Sequence, residues 1–527
     1  MSESLSKMQA ASASDEASAA GAWWRRARNV RAFWLALAAF AIGVGVMLLH
    51  HPGRLAERGD LAIWDYVAQS ILRGQVPYRD VVEIKMPASA YLSAMAMAVG
   101  RSAGMQDIAA VRLLQVLLVG LLSAVTFLVA EAYLRNRLAA IIAFLIPLLP
   151  DHLVVMIAGT QPKLPMILFG MLSLLLIARD KPLWAGCCSM LACLCWQPGL
   201  MFTGTAVLIF SRYLTSWRDG RALKAMLGAL MPLAVLLIYF AAVGALSDLW
   251  TWTMTFNASV YAPRQVKAPL SALAFIWKIS RQQLGADIIA VLLSAAGLIG
   301  FGVERLRARR KGGGLASADH FLDALLMPPL IYFAFCVVNF QGGPDLLPLF
   351  PFFGIFAAWL VMAISRFLAS SPMVNNALAT GLPTVAPVMA IALLLAILLM
   401  RGLSYRGESE MTLEDQRRDF QAIAERLAPQ DQIYVHGTLE ILVLLDRTNL
   451  NPYIMFDEGK DDFIMARKYG GSFRAFLDEL TAAAPRIISL SRLKHVTHGA
   501  EFERWVLERY DVLPVSGYDD IYVRKAE

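Results

Sequence analysis

Residues 59–91, GDLAIWDYVAQSILRGQVPYRDVVEIKMPASAY, carry the side chains of this chain best suited to chemistry. Asp60, Asp65, Asp80 and Glu83 are carboxylates that can take or hold a proton, and Arg73, Arg79 and Lys85 are cations that can hold an anion. They lie between the first long apolar run and a chain that is mostly hydrocarbon. Charge there is expensive unless it has a task or a partner, so the stretch is a candidate site.

Helical spacing separates the carboxylates. Trp64, Val67, Ala68, Ile71 and Leu72 recur at the three-and-four interval of one helix face. That predicts a helix with Asp60 as its N-cap, on the side of the apolar face. Asp65, Gln69 and Arg73 fall four apart on the opposite face, which predicts an ordinary solvated pairing. The helix should stop at Gly74 and turn through Val76 and Pro77. Asp80, Glu83 and Lys85 then fall on an extended piece before Pro87. Taken alone, Asp60 is equally well explained as a plain helix cap and Lys85 as an interfacial lysine.

The elements that must position these groups are membrane spans. Of 527 residues, 57% are hydrophobic and 17% charged, against roughly 25% charged in an average soluble domain. Apolar runs at 32–50, 108–131, 137–150, 163–178, 182–197, 199–213, 224–244, 286–303, 320–340, 345–364 and 379–400 make about eleven spans of a polytopic α-helical membrane protein. The net charge of +7 comes from short Lys/Arg clusters between the runs, the pattern of membrane topology rather than of nucleic-acid binding. Residues 1–22 read as a disordered cytoplasmic tail, and Arg25, Arg26, Arg28 and Arg31 should keep the N-terminus cytoplasmic. The ambiguous run 86–102 is settled by the same rule. If it crossed, every later basic cluster would move outside, so it is expected to lie along the membrane surface. The outer loop 51–107 and the C-terminus are then both extracytoplasmic. The segment 246–285, with Trp250, Trp252, Tyr261 and Trp277, is expected at the outer interface. Cys187, Cys188, Cys193, Cys195 and Cys336 have no flanking His or carboxylate and read as buried thiols.

The membrane region, 23–401, gives way from 402 to the composition of a soluble domain. Strands are predicted at 432–437, 486–491 and 521–525, and amphipathic helices at 412–427, 472–483 and 500–510. The alternation indicates a small α/β domain, 402–527, without a nucleophile constellation or phosphate-cradling glycine motif. A scaffolding or recognition role, dispensable for bond making, is expected of it.

The pattern of Asp60, VAQSILRGQVPYRD, IKMP and Tyr91, followed by Arg112-Leu113 at the next span, resembles the bacterial membrane glycosyltransferases of the GT-C superfamily. The branch it is most similar to is glycosyltransferase family 39, with the protein O-mannosyltransferases and aminoarabinose transferases as relatives. The resemblance implies an outer loop with two surface helices, many spans and a C-terminal extracytoplasmic α/β domain, in a bacterial inner membrane. It implies Asp60 as catalytic base and Lys85, in Lys85-Met86-Pro87, on the lipid phosphate, where the family has Lys-Pro-Pro. It also implies substrate contacts from Tyr78, Arg79, Asp80 and Tyr91, from Asp151 and His152 in the second outer loop, and from Lys163. Gln161 stands where many relatives carry an acid, and Asp345-Leu-Leu-Pro-Leu-Phe-Pro resembles the family's His-Tyr-Leu-Pro-Leu-Pro without its His and Tyr.

The expected partners are a polyprenyl-phosphate sugar and a glycan, lipid or protein acceptor. Attack by an acceptor hydroxyl would invert the anomeric centre, with a carboxylate taking the proton and Lys85 or Arg79 stabilising the departing phosphate. No cofactor is predicted. A divalent metal on Asp60, Asp151 or His152 is compatible with the chemistry, but no tight ligand spacing marks one. Two other classes are a transporter or flippase of lipid-linked sugars and a non-catalytic scaffold. The later runs carry essentially no ionisable residues for an ion relay, which weighs against transport.

Overall fold

The computed structural model describes residues 30–526 apart from 151–152, 154–157, 213–218, 311–319, 371–375, 406–410, 492, 516 and 519. The 1–22 tail, Asp151 and His152 therefore lie outside the described residues. Among the described residues seven helices are long and apolar enough to cross a membrane: Val30–Arg54, Asp107–Leu134, Arg221–Ala242, Pro269–Arg310, His320–Val338, Gly343–Ala369 and Pro383–Ser404. Four shorter apolar helices, Arg137–Leu148, Lys163–Ala178, Pro182–Cys195 and Gln197–Phe210, complete the set marked by hydropathy. Burial sorts them. The apolar windows of Asp107–Leu134 and Gly343–Ala369 are 67% buried, whereas those of Arg221–Ala242 and Pro383–Ser404 are 22% and 11% buried and face outward.

The run 86–102 is a 15-residue helix, Ala88–Ser102, too short to span and packed through Ala94 and Met97 on Ala68 and Val111. From 413 onward the chain forms a mixed four-stranded sheet of order β1-β2-β4-β3, with β1 Ile433–His436, β2 Ile487–Leu490, β3 Tyr510–Val512 and β4 Ile521–Arg524. Strand β1 pairs parallel with β2, Ile433 against Ile487, and the other pairings are antiparallel. A Thr412–Asp415 capping box opens the helix Leu413–Ala424. Strand β3, too short and too exposed for alternation to show, was not expected from the sequence.

The loop 51–107 is fastened by one buried charge. Arg112, 3% exposed near the start of its span, donates to the carbonyls of Ala158 (2.6 Å), Pro52 (3.1 Å) and Gly53 (3.1 Å) and meets Glu57 at 3.4 Å. Beside it lies Asp65, fully buried. The side of the Asp60–Leu72 helix expected to be wet is covered by the Gly159–Thr160 segment at Asp65 and by the C-terminal domain at Gln69 and Arg73, so the predicted solvated pairing of Asp65 is not what forms. Asp65 accepts instead from the Thr160 N–H (3.0 Å) and hydroxyl. Gln69 turns to Asp107 (2.9 Å), and Arg73 to Asp446 of the C-terminal domain.

Glu57 Oε1 and Asp65 Oδ2, which have no other partner, converge beneath Gly159, where a Cβ would stand 2.9 Å and 2.8 Å from them. Burial and then the Asp65 charge hold Glu57 well above the usual carboxylate range, against the pull of Arg112. Burial pushes Asp65 up to about 6, although its Thr160 bonds lower it. Groups whose folded affinity for a proton is raised stabilise the fold while protonated, so their contribution is present at low pH. It is lost as pH rises from the unfolded carboxylate range through about 6 and beyond, as Asp65 and then Glu57 are forced to ionise. Asp65→Asn keeps the acceptor for Thr160 and offers an N–H to Glu57. Thermal melts at stepped pH should show this variant folded, with a flatter pH dependence than the native chain above about pH 5. Asp65→Ala leaves Thr160 unsatisfied and should cost about 1–3 kcal/mol.

Candidate active site

Asp60 reaches the site because another residue performs the capping geometry. Gly59, at φ 54°, is the N-cap, and Asp60 is the first helical residue rather than the cap expected from its position. The Gly59 N–H is taken by Glu440 Oε1 of the C-terminal domain at 2.7 Å. The Asp60 side chain makes no capping bond and lines a cavity of 590 Å³.

The same cavity is lined by Lys85 and Lys163. Lys85 stands with Nζ 4.2 Å from the Trp64 ring centroid, a cation–π contact with the helix that carries Asp60. Its backbone is fixed on several sides. The Tyr78 hydroxyl donates to the Lys85 carbonyl at 2.6 Å, and the amides of Gln197 and Asn257 both donate to the preceding Ile84 carbonyl at 2.8 Å. Lys163 is paired with Asp345 at 2.7 Å, both side chains being at least 90% buried, and sits 4.8 Å from the Trp196 ring centroid. The amide replacing an acid at Gln161 is thus followed by a cation that meets the acid of the late Asp-Leu-Leu-Pro segment.

The remaining candidates lie elsewhere. Arg79 and Asp80 pair with each other at 2.9 Å on the surface, and Arg79 also donates to the Val243 carbonyl (3.0 Å), so neither lines the cavity. The Arg79 hydrogen bond holds Asp80 below the usual carboxylate range. Tyr78 acts on the site through the Lys85 backbone, and Tyr91 stacks edge-on against Tyr239, 5.7 Å away. Among the described residues no three His, Cys, Asp or Glu gather as a metal site. Sequence reasoning missed Glu440, Gln197, Asn257 and the pairing of Lys163 with Asp345. Single amides in apolar surroundings were the only signal for Gln197 and Asn257, and nothing local marks Glu440.

Away from these polar groups the cavity is hydrocarbon: Pro198, Leu200, Met201 and Leu208 on one side, Ile331 and Phe335 on the other. Leu200 and Ile331 are also 55% and 44% exposed, so the trough runs out to the lipid-facing surface. The site therefore has a charged end and a greasy exit. Because Lys163 and Asp345 neutralise each other in that wall, Lys163→Met alone should strand a buried carboxylate and cost about 3–5 kcal/mol. Adding Asp345→Asn should recover most of that loss, as read from denaturation midpoints of the single and double variants.

No protein-family model matches the chain, and no curated protein matches it. Among solved structures it is similar to ArnT from Cupriavidus metallidurans bound to undecaprenyl phosphate, at TM-score 0.61 and 13% identity over 93% of this chain and 97% of that one. The apo state of the same protein gives TM-score 0.59 and 14% identity over 94% and 98%. The archaeal oligosaccharyltransferase AglB from Archaeoglobus fulgidus, in complex with an inhibitory peptide and a dolichol-phosphate, gives 0.54 and 11% over 86% and 69%. Eleven apolar helices among the described residues and a C-terminal mixed-sheet domain, matched over nearly the whole of ArnT, give this multi-pass membrane protein the fold that ArnT and AglB share.

Proposed function

We propose that the chain transfers a sugar from a polyprenyl-phosphate carrier to an acceptor hydroxyl on a glycan, lipid or protein, with Asp60 as general base and Lys85 on the lipid phosphate. The observation that carries this reading is the single cavity that joins Asp60 and Lys85 to an apolar trough open to the lipid-facing surface. A polyprenyl phosphate has the same two-part character, an anionic head on a hydrocarbon tail. ArnT is bound to undecaprenyl phosphate and AglB to a dolichol-phosphate, which supports a lipid phosphate as the ligand here.

In the proposed step the acceptor oxygen attacks the anomeric carbon as the bond from that carbon to the phosphate oxygen breaks. Asp60 takes the hydroxyl proton, and the electron pair leaves on the phosphate, whose growing charge Lys85 stabilises. Displacement from the face opposite the phosphate inverts the anomeric centre. The reading also places the outer loop and the C-terminal domain on the extracytoplasmic side of a bacterial plasma membrane. A membrane-impermeant thiol reagent should then label Ser102→Cys and Ala500→Cys, both exposed positions, in intact spheroplasts. Labelling only after lysis overturns that orientation.

The decisive measurement is release of polyprenyl phosphate from a polyprenyl-phosphate sugar by the purified chain. Asp60→Asn keeps the size of the side chain at a site with no capping bond to lose, so folding should survive while turnover falls by about a hundred- to ten-thousandfold. Lys85→Met keeps the apolar stem over Trp64 and should weaken binding of undecaprenyl phosphate as well as turnover. Full activity of a well-folded Asp60→Asn would remove Asp60 from the mechanism.

A further inference from the structure

A general base works only from the right place, and the Asp60 side chain has no capping bond of its own to aim it. Its direction therefore follows the backbone that enters the helix Asp60–Leu72. Two residues of the C-terminal domain hold that entry. Gln416 accepts from the Glu57 N–H and donates to the Glu57 carbonyl, both at 2.8 Å, and Glu440 Oε1 accepts from the Gly59 N–H at 2.7 Å. Gly59 stands at φ 54° and ψ −128°, a conformation that a residue with a Cβ rarely adopts, so the chain turns sharply just before Asp60. The bond to a carboxylate fixes the peptide plane about which that turn is made.

Glu440 is itself firmly seated. It opens the helix Glu440–Leu444, whose residues from Glu440 to Val443 are at most 6% exposed, and this helix packs on Asp60–Leu72. Further along the same contact the Asn449 N–H donates to the Tyr66 hydroxyl, Gln69 donates to the Val443 carbonyl at 3.2 Å, and Arg73 pairs with Asp446. The Glu440 bond acts at the end that carries Asp60. The Arg73–Asp446 pair lies at the other end, and the Asp446 side chain is 62% exposed. We propose that Glu440 is a positioning residue for Asp60, so that docking of the C-terminal domain sets the place of the base. This inference rests on the assignment of Asp60 as general base made above. The domain, expected from its sequence to be dispensable for bond making, is on this reading needed for turnover.

The test uses the full chain in nanodiscs. Turnover is release of undecaprenyl phosphate from whichever undecaprenyl-phosphate hexose or pentose the native chain consumes fastest, and binding is measured with undecaprenyl phosphate alone. Glu440→Leu removes the acceptor and should lower kcat by about ten- to hundredfold, while undecaprenyl phosphate binds within about threefold, since Lys85 and the apolar trough are untouched. Hydrogen exchange across 57–64 should quicken in the same variant. Glu440→Gln still offers a carbonyl oxygen to Gly59 and should restore kcat to within about threefold of native. Gly59→Ala disturbs the same link from the other side, because its space is open but its backbone is strained, and should show the same loss confined to kcat. Asp446→Ala, at the far end of the contact, should leave kcat unchanged. In the Asp60→Asn background Glu440→Leu should alter turnover by less than about twofold, because a residue that acts through Asp60 has nothing left to position. A folded Glu440→Leu chain with native kcat overturns the inference. So do losses that multiply in the double variant, or a loss of lipid binding in step with kcat; in each case the lipid-phosphate reading survives. A native chain that releases no undecaprenyl phosphate, or a fully active Asp60→Asn, overturns both.

Discussion

A guanidinium at the head of a membrane span needs partners for its donors, and Arg112 finds four by gathering two distant pieces of chain. It binds the carbonyls at 52–53, the carbonyl at 158 and the Glu57 carboxylate, so the loop 51–107 and the stretch before Lys163 are pinned to one point. Asp65 adds the Thr160 bonds beside it. Thr160 lies three residues before Lys163, and Asp65 lies on the helix that begins with Asp60. One buried knot thereby sets the groups of the cavity relative to each other, although it contributes no atom to the cavity itself.

The C-terminal domain completes this frame rather than hanging from it. Gln416 brackets the Glu57 backbone with two bonds of 2.8 Å, Asn449 donates to the Tyr66 hydroxyl at 2.8 Å, and Val82 donates to the Pro452 carbonyl at 2.9 Å. Glu440 takes the N–H in front of Asp60. The domain thus meets the Asp60–Leu72 helix at Tyr66, Gln69 and Arg73 and holds the residue before its start. Among the described residues it adds none to the lining of the cavity.

The cavity itself resolves a conflict between two solvents. Its polar end collects charged and amide side chains whose hydrogen bonds are mostly spent on the protein, which keeps them fixed without water. Its apolar end needs no partners and opens where Leu200 and Ile331 face the surface. A rigid polar end can discriminate between ligands because an unmatched buried donor or acceptor is costly, whereas the apolar trough is tolerant of chain length.

Local pattern alone determined the eleven apolar helices and the outline of the C-terminal sheet, because each is a local consequence of apolar length or alternation. Asp60 and Lys85, which line one cavity, also stood out in the sequence as charges in an otherwise greasy chain. Helical spacing gave the right helix but the wrong environment for Asp65. A face reads as solvated only when nothing covers it, and what covers it is Thr160 at Asp65 and the distant Val443 and Asp446 at Gln69 and Arg73. The same distance hid Glu440 behind Gly59, and the encounter of Lys163 with Asp345 joins segments that no local pattern relates. Which buried charges find partners is decided by the folded chain as a whole, since a charge in a low-dielectric interior is satisfied by whatever tertiary packing brings to it.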